Sequence, residues 1–155
     1  MKAITITLNH RTVTALAALG TTLRDFLRAQ GCFSVRFGSD DGATGAATVL
    51  LDGTPISGDV VLAEQADGHE VFTLEGLEGP NGELHPIQQA FVDHSGFQCG
   101  FCTSGQIMTA KALLERTPSP TEDQVRAAMA GNMCRCSAYK RILESVMAAS
   151  RQMRA

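Results

Sequence analysis

The sequence predicts an α+β protein: a small mixed unit with one helix on a sheet, followed by a bundle of four short helices. Three observations carry this. Through the first 75 residues apolar side chains recur with a period near two. Beyond residue 86 the period becomes 3.6. Between the two lies EGLEGPNGELHP (residues 75–86), rich in Gly, Pro and Asn, which reads as a linker. The expected domains are therefore 1–77 and 84–155.

In order along the chain, Ile4, Ile6 and Leu8 alternate with Thr5 and Thr7, the pattern of a half-buried strand. Asn9-His10-Arg11 turns the chain into a second strand over Thr12–Leu16. Thr22 is placed to cap a helix with Leu23, Phe26 and Leu27 on its apolar stripe and Gly31 as its stop. Residues 38–53, GSDDGATGAATVLLDG, form a loop of glycines and small polar residues, then a buried strand at Thr48–Leu51 closed by the Asp52-Gly53 turn. Val60–Leu62 and Val71–Leu74 read as further short strands.

In the second half Pro86 suits the first position of a helix carrying Ile87, Ala90 and Phe91, with Gly96 as its stop. The next helix runs from Thr103 or Ser104 through Ile107, Ala110 and Leu114, ending before Pro118. Thr121 and Gln124 have capping-box spacing at the head of a third helix, with Val125, Ala128 and Met129 on one face and Gly131 as its stop. The fourth starts near Ser137 and lines up Ile142, Val146, Ala149 and Met153. Brief connections between four amphipathic helices imply a bundle.

At 155 residues, 44% hydrophobic and 19% charged, the chain can build one ordinary domain or two small ones with modest cores. A net charge of −3 gives no basic footprint for nucleic acid. No stretch resembles a membrane span. The start, MKAITITLNH, has neither the apolar core of a secretory signal nor a twin arginine, so a cytoplasmic location is expected, with export only on a partner.

The five cysteines are Cys32, Cys99, Cys102, Cys134 and Cys136, an odd number that argues against a disulfide framework. Four of them form two tight pairs, in QCGFCTSGQ and GNMCRCSAYK, each just ahead of a helix N-terminus. In a bundle of alternating direction the second and fourth helices point the same way, so these loops can meet at one end. Helix N-termini and free backbone N–H groups favour thiolates and anionic contents. A four-thiolate [2Fe–2S] centre, at about −2 oxidised and −3 reduced, suits such a place. Tetrahedral zinc and unligated thiols remain alternatives, although the C-x-C pair is narrower than usual zinc spacing.

HPIQQAFVDHSGFQCGFCTSGQIMTAKALL followed by GNMCRCSAYKRILESV resembles the C-terminal domain of the iron–sulfur (small) subunit of molybdenum hydroxylases, the xanthine oxidase and aldehyde oxidoreductase family. The likeness extends through LRDFLR at 23–28, TVLLDG at 48–53 and LEGL at 74–77. It implies a ferredoxin-like β-grasp domain followed by a four-helix [2Fe–2S]-binding domain. It also implies that Cys99, Cys102, Cys134 and Cys136 are the cluster ligands. Gln98 and Cys136 would approach the molybdopterin of a large partner subunit.

Family members hold a second cluster in the N-terminal domain with C-x4-C-x2-C and a later cysteine. Here those slots fall at Ser39, Thr44, Ala47 and near Asp59, and none is a thiol. The 38–53 loop thus reads as a cradle whose cluster is gone. Cys32 alone cannot replace it and reads as a small buried hydrophobe. Asp40, Asp41 and Asp59 read as solvated turn residues. None of the histidines has metal-ligand spacing: His85 is expected at a helix start, His94 near a helix end, and His10 and His69 in turns.

The resemblance implies an electron-transfer subunit with no bond chemistry of its own. It would carry electrons from the molybdopterin centre through a single [2Fe–2S] cluster to a flavin subunit or another acceptor such as a cytochrome. The alternative is a non-redox structural or assembly subunit whose four-cysteine site binds zinc or no metal. The substrate belongs to the large subunit and is not written in this chain.

Overall fold

The computed structural model describes residues 1–154. Strands β1 (Lys2–Leu8) and β2 (Arg11–Ala17) form an antiparallel hairpin, with Lys2 opposite Ala17 and Leu8 opposite Arg11. Its turn places Asn9 and His10 at φ 48° and 66°, the pair of left-handed conformations that matches strand twist. Asn9 is held there by its side chain, which donates to Thr73 Oγ1 at 3.0 Å and accepts from Thr73 N–H at 2.8 Å. Helix α1 (Leu23–Ala29) follows, with Thr22 Oγ1 accepting from Asp25 N–H at 3.1 Å as its cap.

β3 (Thr48–Leu51), β4 (Thr54–Ser57) and β5 (Glu70–Phe72) complete a five-stranded sheet in the order β2-β1-β5-β3-β4. β5 runs parallel to β1 and antiparallel to β3. Ile4, Ile6, Leu23, Phe26, Leu27, Val49 and Val71 make the first core, between the sheet and α1. Two expectations need correction. Val60–Leu62 is not a strand: Val60 is 52% exposed, only an isolated Thr22–Leu62 bridge forms, and a 3-10 turn begins at Ala63. The β5 segment also ends at Phe72, because Leu74–Gly76 is a 3-10 turn. β4 was not expected at all.

The second half holds four helices, α2 (Pro86–Asp93), α3 (Thr103–Arg116), α4 (Glu122–Met129) and α5 (Tyr139–Gln152). His85 caps α2: its Nδ1 accepts from Ile87 N–H at 3.2 Å, while Gln88 Oε1 accepts from His85 N–H at 2.9 Å. Thr121 and Gln124 form the expected reciprocal cap on α4, at 3.3 and 2.8 Å. Gly96 is required by packing, since a Cβ there would lie 2.5 Å from Ser145 Oγ and 2.8 Å from the Phe91 ring. Ile142, Val146 and Ala149 are buried along α5, but Met153 lies past its end and is 40% exposed.

The helices share a second core that includes Ile87, Phe91, Met108, Val125 and Val146. Leu50 of β3 joins this core, whereas its neighbour Val49 joins the first. Successive strand residues point to opposite faces, so β3 is buried on both sides and ties the two halves together. Among the described residues no helix is long and apolar enough to cross a membrane.

Candidate metal centre

Cys99 lies in the loop between α2 and α3, and Cys102 is the N-cap residue of α3. Cys134 and Cys136 lie in the loop between α4 and α5. Gly100 at φ 80° and Ser137 at φ 58° bend these two loops sharply. The Cys99 thiol faces Cys136, and Cys102 faces Cys134. Each of the two loops therefore contributes one sulfur to each pair. The four thiols thus pair two and two across the loops, a donor set that suits a binuclear cluster in which each iron takes two thiolates.

Backbone N–H groups reinforce the sulfurs. Ala138 N–H donates to Cys134 Sγ at 3.4 Å, and the Cys134 N–H donates to the Tyr139 hydroxyl at 2.9 Å. The Phe101 N–H, then the Cys136 thiol, hold Cys99 below the ordinary thiol range. Burial, followed by the adjacent Cys134 thiol, pushes Cys102 up to about 11 in the absence of metal. Metal binding must therefore displace a proton from Cys102. Gln98 Nε2 donates to the Cys136 carbonyl at 3.2 Å, joining the two cysteine loops. Cys99, Cys102 and Cys134 line a cavity of about 210 Å³, with Thr44, Ala46, Phe101, Met133 and Arg135 as its other walls.

None of the four slots of the N-terminal loop carries a thiol. Ala47 is fully buried in the first core. Thr44 Oγ1 fills the space beside Gly38, where a Cβ would come within 1.9 Å of it. Asp59 is not a solvated turn residue: its side chain is 0% exposed and its Oδ1 accepts from Arg24 Nη1 at 2.6 Å. Ser39 stands just ahead of the turn that starts at Asp40, with its hydroxyl buried. Asp40 and Asp41 are exposed, with Asp41 Oδ1 accepting from Ala43 N–H at 3.0 Å in an ordinary turn. Cys32 is 4% exposed in the first core and accepts a hydrogen bond from Thr73 Oγ1 at 3.6 Å. His10 and His94 occupy the turn and helix end expected of them, and His69 bonds Asp52 Oδ2 at 2.6 Å.

Asn132 was missed. It is 4% exposed, and its Nδ2 donates to Gly45 O at 3.1 Å and Thr48 Oγ1 at 3.3 Å, while its Oδ1 accepts from Thr109 Oγ1 at 2.8 Å. The signal was the asparagine of GNMCRC itself, two residues before Cys134, in a motif read only for its sulfurs.

Residues 73–147 match the family model described as a [2Fe-2S] binding domain. The nicotine 6-hydroxylase small subunit of Paenarthrobacter nicotinovorans is 41% identical, over 97% of this chain and 90% of that protein. The nicotinate dehydrogenase small FeS subunit of Eubacterium barkeri is 40% identical, over 92% of this chain and 91% of that one. Among solved structures, quinoline 2-oxidoreductase from Pseudomonas putida 86 superimposes with a TM-score of 0.94 at 35% identity, over 99% of this chain and 96% of the matched chain. The aldehyde oxidoreductase of Desulfovibrio gigas gives 0.92 at 37% identity, with this chain covering 17% of that longer one. Coverage of almost the whole chain at this identity means that the protein belongs to the iron–sulfur small-subunit family of molybdenum hydroxylases and binds one [2Fe–2S] cluster.

Proposed function

We propose that this chain is the electron-transfer subunit of a molybdenum hydroxylase or dehydrogenase, with Cys99, Cys102, Cys134 and Cys136 as the cluster ligands. The observation that carries the reading is the two-and-two arrangement of thiols at the heads of α3 and α5. When bound, the cluster supplies one-electron redox chemistry between the molybdopterin centre of a large subunit and a downstream acceptor. The residues of this chain position it. The N–H groups of Ala138 and Phe101 are set to stabilise negative charge on the sulfurs. Residues 84–155 act as a four-helix cluster-binding domain, and residues 1–77 as a metal-free ferredoxin-like β-grasp domain.

Around the cysteine loops several large apolar side chains are exposed, alongside Arg135 and Lys140. Phe97, Phe101, Met133 and Tyr139 are 39%, 44%, 45% and 48% exposed. Large apolar side chains gathered at one site mark a protein interface, which supports docking of the molybdopterin subunit here, with Gln98 and Cys136 nearest its cofactor. Ser39, Thr44, Ala47 and Asp59 offer no thiolate, so the chain provides one stepping stone instead of two. The acceptor, a flavin subunit or a cytochrome, then has to approach the cysteine loops themselves. Reduction of the purified complex with dithionite, under exclusion of air, tests this. Reversible bleaching of a visible chromophore is expected. A colourless protein containing zinc would instead support a structural subunit.

A further inference from the structure

We infer that the emptied loop at 38–47 has become the wall of the remaining cluster's cavity and helps to set that cluster's reduction potential. The inference rests on the four-cysteine assignment above and concerns residues outside it.

Three observations place the loop. First, Thr44 and Ala46 line the same cavity as Cys99, Cys102 and Cys134, although they lie more than fifty positions away in sequence. Second, the loop is bonded directly to the cysteine loop: Met133 N–H donates to Thr44 O at 2.9 Å, one residue from Cys134. Asn132 adds its bonds to Gly45 O and Thr48 Oγ1. Third, three backbones meet where only glycine fits. A Cβ on Gly45, at φ 66°, would lie 2.4 Å from Gly131 O, and one on Gly105 would lie 2.2 Å from Gly45 O. These contacts clamp the loop to the first turn of α3 and to the α4–α5 connection.

The consequence is electrostatic. Ala46, which lines the cavity, is 2% exposed and has no polar side-chain atom, and Thr44 sits half-buried near it. On its own side of the cavity such a wall offers neither charge nor open solvent, while Arg135 lines another side and Cys99 is exposed. Solvent access, hydrogen bonds and nearby charge are what tune an iron–sulfur potential within one cluster type. A loop that once held a metal would then serve the other metal site as insulation. Thr44 stands in the second of the four vacated slots, so one position would have exchanged ligation for screening.

The test is a pair of opposite charges at one position. Thr44→Asp and Thr44→Lys are introduced into the chain within its purified complex, and the midpoint potential is read by redox titration of the visible and electron paramagnetic resonance signals. A carboxylate beside the cavity disfavours the more negative reduced cluster, so Thr44→Asp lowers the potential, whereas Thr44→Lys raises it. The same two substitutions at exposed Ala43 produce smaller shifts. Potentials unchanged by both Thr44 variants, or equalled by the Ala43 pair, overturn the inference. If the Thr44 variants fail to retain the cluster, Ala46→Ser adds one hydroxyl to the same wall; a raised potential supports the inference and an unchanged one overturns it. A wild-type complex with no visible chromophore would instead defeat the four-cysteine assignment on which all of this stands.

Discussion

At residues 38–47 the chain wraps around its own side chains, whereas at residues 99–102 and 134–136 it wraps around four thiols. Both regions have a similar build, with tight bends and positive φ at Gly42, Gly45 and Gly100. What separates them is the chemistry at a handful of positions. Where thiols are absent, the interior is filled by apolar packing at Ala47 and by the buried Arg24–Asp59 ion pair. Where they are present, burial is incomplete, Cys99 is exposed, and large apolar side chains stand open around the site. The loop without thiols closes on protein atoms; the loops that carry them stay open.

Breaking the metal-bearing region should have the largest effect. Cys102→Ser and Cys134→Ser are each expected to abolish reversible bleaching of the complex, because hydroxyl is a poor substitute for thiolate toward iron. Normal bleaching in either variant would remove that residue from the ligand set. Breaking the metal-free region should cost stability and leave colour in place. Arg24→Met strands the fully buried Asp59 carboxylate, one oxygen of which already lacks a partner, at an expected cost of about 3–5 kcal/mol in denaturant unfolding. The double variant with Asp59→Leu should recover most of that loss, as buried ion pairs are often replaceable by apolar residues.

The seam between the regions should respond less. Asn132→Ala removes three side-chain hydrogen bonds from a buried position, for about 1–3 kcal/mol. A smaller effect is confined to the helical half and to acid. Burial first, and then the nearby Lys111 charge, lowers the pKa of His85 below its ordinary 6.5. The unfolded chain therefore takes up a proton at higher pH than the folded one, so stability is complete above about pH 6.5 and declines as pH falls below it. Protonation also removes the Nδ1 acceptor that caps α2. His85→Asn, which keeps a capping oxygen, should flatten this dependence in melts recorded across pH 5–7.

The sequence reading succeeded where one residue type carries one local role. Thr22, Pro86 and Thr121 mark helix starts because capping is decided within three or four residues. It failed where position in the sheet decides. Pro55 disguised β4, although Pro is tolerated on this edge strand. Val60–Leu62 has strand-like residues but no neighbour to pair with beyond one bridge. Asp59 looked solvated because its partner Arg24 lies 35 positions earlier, and Asn132 looked incidental because its partners at Gly45 and Thr48 lie 87 and 84 positions away. The cysteine pairs were legible as a unit, but which sulfur faces which depends on helix direction and came only from the fold.

The most direct test of the contrast between the two regions is a joint determination of iron, acid-labile sulfide and zinc on the purified complex, referred to this chain. One occupied site and one emptied site predict two irons and two sulfides per chain with no stoichiometric zinc. Four irons per chain would mean that the 38–47 loop still holds a cluster, and an iron-free chain would mean that the cysteine loops hold none.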